Sequence, residues 1–136
     1  MTKRDKELLL KDLCKRLPYG VYVEHTTSGF CGKLHDVSVY QRYNDDDTIK
    51  DYECYTNFFG DETCKIEFFK PYLFPISSMN DIQKEIYKTY KENLKDGKYF
   101  IESLTSLNHW LYSNHFDVNK LIEKGLAIDA SNLNIY

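Results

Sequence analysis

Three potential metal ligands, His25, Cys31 and His35, lie within eleven residues of the chain, and Cys54 and Cys64 are two further thiols. A structural zinc site usually has two closely spaced pairs of ligands, whereas these spacings are irregular. The pattern therefore predicts buried, reduced thiols and surface histidines. It indicates neither a metal site nor a cofactor, and a disulfide between Cys54 and Cys64 would need an oxidising compartment.

Cys31 lies between Gly29-Phe30 and Gly32, where small neighbours could expose its thiol, and His25 and His35 are close in sequence. A catalytic thiol needs a base within hydrogen-bonding distance and a donor for the oxyanion. The chain contains no phosphate-binding glycine loop, Gly-x-Ser-x-Gly or His-Glu-x-x-His motif, and the acidic run 45–47 lacks calcium-loop spacing. The sequence thus favours a non-enzymatic protein, with a Cys31–histidine enzyme as a remote third hypothesis.

Aromatic residues are more numerous than one small sheet needs in its interior. They could stack on bases or bind a protein partner. The leading hypothesis is a non-enzymatic module that binds another protein through exposed aromatics on the sheet or through the LPYG and KPYLFP turns. The candidate partner-binding residues are Tyr55, Phe59, Phe69, Tyr72 and Phe74. The competing interpretation, which we favour, is that helices cover both faces of the sheet or that Phe69, Tyr72 and Phe74 fill the seam beneath the helices.

Charge is distributed unevenly along the chain. Residues 1–18 carry six basic and three acidic side chains, whereas residues 19–63 carry three basic and nine acidic ones. The acidic middle argues against a nucleic-acid-binding sheet, because Lys and Arg supply most of the affinity for phosphates. The alternative function is nucleic-acid binding through the basic first helix and the lysines at 84, 88, 91, 95 and 98, although interleaved acidic residues favour a solvated face.

The chain divides at residues 64–79, CKIEFFKPYLFPISSM, into a β part and a helical part. Apolar residues alternate with charged ones over residues 64–68, which is typical of a half-buried strand. Pro71 and Pro75 are expected to end the sheet near Lys70, because proline lacks the backbone N–H that a ladder uses.

The expected fold is a single α+β domain over residues 1–136. An amphipathic helix over 3–17 precedes a small antiparallel sheet over 20–70, with about four strands that could curl into a partly open barrel. The helical part, 78–125, contains about three helices: one over about 80–94 that Ser77 or Ser78 could cap, one over 100–114, and a short one from Asp117 to Gly125.

Two turns set the expected strand register. A hairpin turn at residues 44–47 would place Val39 opposite Tyr52 and Val37 opposite Cys54, and a second turn near residue 60 would place Cys54 opposite Cys64 and Tyr52 opposite Ile66. Both registers predict the same apolar face, which consists of Val37, Val39, Tyr52, Cys54, Cys64, Ile66 and Phe68.

The N-terminal residues MTKRDKE lack the apolar segment of a secretory signal, and no stretch is apolar enough to span a bilayer. These features predict a cytoplasmic protein that acts away from membranes. They do not indicate an oligomeric state.

Three stretches together resemble a family of small uncharacterised proteins encoded by gut Bacteroides-type bacteria and their phages or prophages. They are LLLKDLCKRLPYGV, IEFFKPYLFPISSM and WLYSNHFDVNKLIEKGLAIDA. Related chains tend to carry Tyr-Arg-Gly where this one has Val118-Asn119-Lys120. The resemblance implies a small cytoplasmic accessory protein of mobile-element origin, and it assigns no activity to any residue.

Overall fold

The structure is a computed structural model that describes residues 1–38, 53–56, 64–97 and 99–136. Helix α1 spans Lys3–Arg16 and begins with a capping box, in which the Thr2 hydroxyl accepts from the Asp5 N–H and the Asp5 carboxylate accepts from the Thr2 N–H. A 3₁₀ turn containing Pro18 follows, and Gly20 at φ +70° leads into the sheet. The predicted first helix is confirmed.

The sheet is larger than predicted and is mixed. Its strands are β1 (Tyr22–His25), β2 (Cys31–Ser38), β3 (Glu53–Thr56), β4 (Cys64–Lys65), β5 (Phe69–Leu73) and β6 (Ile128–Asp129). Their order is β4-β3-β2-β1-β5-β6, and every pairing is antiparallel except the parallel one between β5 and β6. The predicted α+β class is confirmed, and among the described residues four strands are at least four residues long. The prediction of a purely antiparallel sheet is wrong at β6, because this strand comes from the C-terminal tail and runs parallel to β5.

The predicted register is confirmed where the structure describes it. Val37 pairs with Cys54, and Cys54 pairs with Cys64. The predicted Val39–Tyr52 and Tyr52–Ile66 pairs lie outside the described residues.

The predicted strand over 64–70 is interrupted by a 3₁₀ turn at Ile66–Phe68. This turn breaks the alternation, so Phe68 is 39% exposed and the Phe69 side chain is fully buried. The placement of Phe68 on the apolar face was therefore wrong, because one turn of helical backbone shifts the following strand by a residue.

The sheet also continues through Pro71, contrary to the prediction that it ends near Lys70. Val23 of β1 lies opposite Pro71. On either side of Val23, the His25 N–H donates to the Phe30 carbonyl and the Val21 carbonyl accepts from the Leu34 N–H. The N–H and C=O groups of Val23 therefore point towards β2 as well. Because ladder bonds alternate sides, the missing N–H of Pro71 faces away from β1. On that side β6 begins only opposite Tyr72, so no ladder bond is lost.

Helices α2 (Asp81–Asp96) and α3 (Phe100–Ser113) form an antiparallel hairpin. Asn80 caps α2 through a capping box with Gln83, so the predicted Ser77 or Ser78 cap is wrong. The helices are otherwise close to their predicted bounds, because strong 3.6-residue periodicity defines both.

The predicted third helix, from Asp117 to Gly125, is a series of turns. The Asp117 carboxylate does accept hydrogen bonds from the Leu121 and Ile122 N–H groups, as a helix cap would, but no regular helix follows. The chain then turns at Gly125, which has φ +69°, and enters β6. A cap alone cannot sustain a segment this short.

The buried apolar side chains of the described residues form two clusters. The first lies between α1, the sheet and the segment after α3, and includes Leu9, Leu13, Val23, Phe69, Leu73 and Leu121. The second joins the base of the α2–α3 hairpin to the end of β5, and includes Met79, Leu107, Leu111 and Phe116. No helix in the described part of the chain is both long and apolar enough to cross a bilayer.

Candidate functional site

The five predicted partner-binding aromatics do not form one exposed surface among the described side chains. Phe69 is fully buried in the first cluster, Tyr72 is buried on the opposite face of the sheet, and Phe74 is half-buried. The backbone of Tyr55 lies in β3 opposite Asp36, and Phe59 lies outside the described residues. Phe69 and Tyr72 are therefore packing residues, which agrees with the competing interpretation of the sequence.

Tyr72 belongs to a short polar chain on the sheet face that turns away from α1. Its hydroxyl donates to Glu24 Oε2 at 2.7 Å, and Cys31 lies opposite Glu24 in the pairing of β1 with β2. Burial of the hydroxyl has the largest effect on the pKa of Tyr72, and the Glu24 carboxylate has the next largest. Both raise this pKa well above its usual value. Burial also raises the pKa of Cys31, so this thiol stays protonated near neutral pH rather than forming a nucleophilic thiolate.

Neither neighbouring histidine is placed as a base for Cys31. The His25 ring contacts Phe69, on the face opposite Cys31, and its Nδ1 lies 2.8 Å from the Ser28 hydroxyl. His35 is four residues along β2 from Cys31, which corresponds to roughly 13 Å. Within the ranges that the structure describes, no three His, Cys, Asp or Glu side chains are grouped as metal ligands.

Tyr136 connects the outer sheet face with the end of α3. Its hydroxyl donates to the Tyr72 carbonyl at 2.8 Å and accepts from the Tyr22 N–H at 3.1 Å, so it completes the ladder between β1 and β5. Its ring stacks on His115, with 3.8 Å between centroids, and contacts Phe74. The sequence pattern does not indicate this role, because the contacts join distant segments.

Replacing Tyr136 by phenylalanine is expected to destabilise the protein by about 1–3 kcal/mol, because two backbone groups lose their partner. Urea unfolding measures the loss, and hydrogen exchange at the Tyr22 amide should accelerate. Leu133→Ala, in the same segment and 46% exposed, serves as the control and should change stability by no more than about 0.5 kcal/mol. Unchanged exchange at Tyr22 would contradict the bridging role.

A cavity of about 300 Å³ opens beside the Tyr136 ring, where the ends of β5 and α3, the start of α2 and the tail meet. It is lined by aromatic rings and by small polar side chains, which are Phe74, Ser78, Gln83, Ser113, Asn114, His115, Phe116, Ser131 and Tyr136.

His115 is the unusual residue of this cavity. It has φ +60°, a left-handed conformation that costs energy for a residue other than glycine. Its Nδ1 is buried and has no hydrogen-bond partner among the described residues. Burial, with a smaller effect of the Arg16 charge, lowers the His115 pKa to about 4, so the ring is neutral at pH 7.

The α2–α3 hairpin exposes large apolar side chains that neither cluster covers. Ile82 is 74% exposed, Ile101 76% and Phe100 51%. Ile86 and Leu104 are also exposed. The sequence does not predict this surface. The exposed apolar residues recur at the same helical spacing as the buried apolar residues, and only the position of the core shows which of the two sets is covered.

The surface of α2 is divided into parallel stripes because residues three or four apart share a helix face. The basic stripe contains Lys84, Lys88, Lys91 and Lys95, and all four are exposed. The acidic stripe contains Asp81, Glu85, Glu92 and Asp96. The third stripe contains Ile82, Ile86, Thr89 and Asn93. At 100° per residue the acidic stripe lies between the other two, so the isoleucines border on carboxylates.

The basic first helix is less available to nucleic acid than its composition indicates. Arg16 is fully buried, with its Nε 2.6 Å from Asp12 Oδ2, whereas Lys3, Arg4, Lys11 and Lys15 are exposed. On α2, the predicted lysine face is present from Lys84 to Lys95, and Lys98 lies outside the described residues.

Comparison of the chain with protein-family models, curated proteins and solved structures finds no match.

Proposed function

We propose that this chain is a non-enzymatic interaction module that binds another protein through the exposed side of the α2–α3 hairpin. The observation that carries the proposal is that the hairpin exposes apolar side chains on both helices: Ile82 and Ile86 on one stripe of α2, and Phe100, Ile101 and Leu104 in the first turns of α3. Isolated exposed apolar residues are ordinary, whereas apolar residues three or four apart share a helix face and form the kind of patch that binds a protein partner. The hairpin thus replaces the sheet aromatics as the candidate partner-binding surface.

The charges of α2 support a particular kind of partner. Because the acidic stripe borders on Ile82 and Ile86, a complementary surface would have an apolar centre and a basic rim. An amphipathic helix with Lys or Arg beside its apolar face has this chemistry and can lie along a two-helix surface. The partner is therefore proposed to be a basic, amphipathic segment of another protein.

The free thiols of Cys14 and Cys31 support a reducing compartment, so a cytoplasmic location is part of the proposal. The resemblance described above supports an accessory role in a mobile element.

The test combines partner capture with reconstitution. Proteins captured from nuclease-treated host lysate would be identified, purified and titrated against the wild type and the double variant Ile82→Ser/Ile101→Ser. We expect the double variant to bind at least about tenfold more weakly, because it removes two apolar anchors. Both side chains are exposed, so its thermal unfolding should stay close to that of the wild type.

Lys84→Gln/Lys88→Gln is the matched control, since it changes the same helix on another stripe. This variant should retain the affinity of the wild type for the purified partner. Equal binding by the isoleucine variant and the wild type would contradict the proposed surface.

Nucleic-acid binding is the second candidate, and the four exposed lysines of α2 favour it. It predicts that affinity for a labelled duplex falls steeply with salt and that Lys84→Gln/Lys88→Gln lowers the salt slope by about two. The neighbouring acidic stripe and the burial of Arg16 make this candidate weaker than protein binding.

A further inference from the structure

Two surface depressions adjoin at Tyr19, in the turn that connects α1 to the sheet. The first, of about 350 Å³, lies between the end of α1 and α3, and its lining includes Lys15 and His109. The second, of about 450 Å³, lies between the same turn and β2, and its lining includes Lys33 and His35. Because Tyr19 lines both, they are the α3 half and the β2 half of one groove, which we call the Tyr19 groove.

The side chains of this lining that can be charged near neutral pH are all basic. Lys15 and His109 belong to the α3 half, and Lys33 and His35 belong to the β2 half. Among the described residues, no Asp or Glu lines either half. The whole chain, by contrast, has a net charge of −3. The groove is therefore a local concentration of positive charge, which favours an anionic ligand.

The acidic residues near the groove are either neutralised or outside its lining. Asp12 pairs with the buried Arg16 through both carboxylate oxygens. Glu102 precedes His109 by seven residues of α3, which corresponds to roughly 10 Å along the helix axis. Asp36 follows His35 in β2, but it forms a hydrogen bond within its own strand and does not line the groove. The two lysines therefore have no counter-charge in the lining.

The α3 half offers several hydrogen-bond donors. Lys15 forms no ion pair with a described residue, and its Nζ lies 5.5 Å from the centroid of the Tyr112 ring. His109 Nδ1 lies 2.9 Å from the Tyr19 hydroxyl, and when that hydroxyl donates, Nε2 carries the proton of the neutral ring. Asn108 lines the same half, and its amide forms no hydrogen bond with a described residue. An ammonium group together with N–H donors suits a phosphate.

The β2 half owes its shape to Gly20. This residue has φ +70°, and a Cβ atom at its position would clash with Cε of Lys33. The Lys33 side chain thus lies across the turn, in space that is open only because residue 20 is glycine. Its ammonium group and the His35 ring are the basic groups of this half. The β2 half can therefore hold a second anionic group.

From this combination we propose that the Tyr19 groove binds a small molecule with at least two linked phosphate groups, one on the Lys15 side of Tyr19 and one on the Lys33 side. A single phosphate engages one half only, so a second phosphate adds charge-assisted hydrogen bonds. Each half has the volume of a small-molecule site rather than of a site for an extended chain. The inference does not use the hairpin surface, and its test needs only the purified protein.

The probes are the sodium salts of inorganic phosphate, diphosphate and linear triphosphate. Each would be titrated into the full chain at constant ionic strength and without divalent metal ions, and the backbone amide NMR signals of the folded protein would be followed. We expect saturable shifts centred on Tyr19, Lys33 and His109, and triphosphate should bind at least about tenfold more tightly than phosphate. No saturable shift, or equal affinity for phosphate and triphosphate, would overturn the proposal.

Two variants test the two halves separately. Lys15→Gln removes a charge from the α3 half, and Lys33→Gln removes one from the β2 half. Each should weaken triphosphate binding by about fivefold, as expected for the loss of one ion pair in a solvated site. Both lysines are exposed, so thermal unfolding of the variants should stay close to that of the wild type. Unchanged triphosphate affinity in either variant would overturn the two-sided site.

Lys88→Gln is the matched control, because it makes the same charge change at an exposed position of α2. It should bind triphosphate like the wild type. Equal losses in Lys88→Gln and Lys15→Gln would indicate non-specific attraction to surface lysines and would overturn the proposal. A short single-stranded oligonucleotide that binds more tightly than triphosphate, and less tightly to Lys15→Gln, would also overturn it, since the groove would then be part of a nucleic-acid-binding surface.

Discussion

Replacement of Asp12 by alanine is expected to lower the free energy of unfolding by about 3–5 kcal/mol, because it leaves the Arg16 guanidinium buried without its counter-charge. Both side chains are fully buried, and Arg16 Nε and Nη2 lie 2.6 and 3.1 Å from the two Asp12 oxygens. Chemical unfolding monitored by circular dichroism measures the loss.

The effect should be large because this pair ties α1 to the segment after α3. Arg16 Nη2 donates to the Phe116 carbonyl at 2.8 Å, and Asn119 Nδ2 donates to Asp12 Oδ1 at 2.8 Å. The Arg16 guanidinium also lies over the Tyr112 ring, 4.8 Å from its centroid. Removing the carboxylate therefore disturbs a network that spans about a hundred residues of sequence.

Two controls separate the charge effect from the loss of helix α1. Lys11→Ala, at an exposed position of the same helix, should change stability by no more than about 0.5 kcal/mol. Asp12→Leu/Arg16→Met removes both charges and should recover much of the loss, since apolar pairs commonly replace buried ion pairs without cost. A loss below about 1 kcal/mol for Asp12→Ala would show that the pair is not effectively buried.

Stability is expected to fall as the pH decreases from about 6.5 to about 4, through the ordinary and folded-state pKa values of His115. In this range the unfolded chain binds a proton at His115 that the folded chain does not. The folded state is therefore favoured above pH 6.5, and its advantage is lost progressively on acidification. The pKa difference corresponds to at most about 3 kcal/mol, less where water reaches the ring.

The variant His115→Asn isolates this contribution. Asparagine tolerates the left-handed backbone at this position but does not titrate. The free energies of unfolding of wild type and variant would be measured from pH 4 to 7. The value of the wild type minus that of the variant should decrease as the pH falls, because only the wild type loses the His115 contribution. Parallel curves would contradict the prediction, and NMR titration of the ring would give the folded-state pKa directly.

The elements with strong local signals were predictable from the sequence. Helices α1, α2 and α3 follow 3.6-residue periodicity, and the pairing of Val37 with Cys54 and of Cys54 with Cys64 follows from two turns that agree on one apolar face. The errors occur where local signals are ambiguous. Asp117 provides the hydrogen bonds of a cap, but the segment that follows is too short to sustain a helix and forms turns.

The candidate sites were less predictable because they depend on contacts between distant segments. The aromatic count suggested a binding sheet, but the 3₁₀ turn at Ile66–Phe68 buries Phe69, and Tyr136 and Glu24 engage Tyr72. No spacing in the sequence relates Tyr136 to Tyr22, or Arg16 to Phe116, since each pair is about a hundred residues apart.

The sequence by itself therefore determined the α+β class, the helices and the local register, because hydrophobic periodicity, caps and turns act over a few residues. Only the tertiary structure decided which of the periodic apolar residues remain exposed on the α2–α3 hairpin. It alone placed the His115 ring, with a lowered pKa, in the cavity that Tyr136 lines. Burial and pKa values depend on what the rest of the chain packs against a residue, and that information is not local.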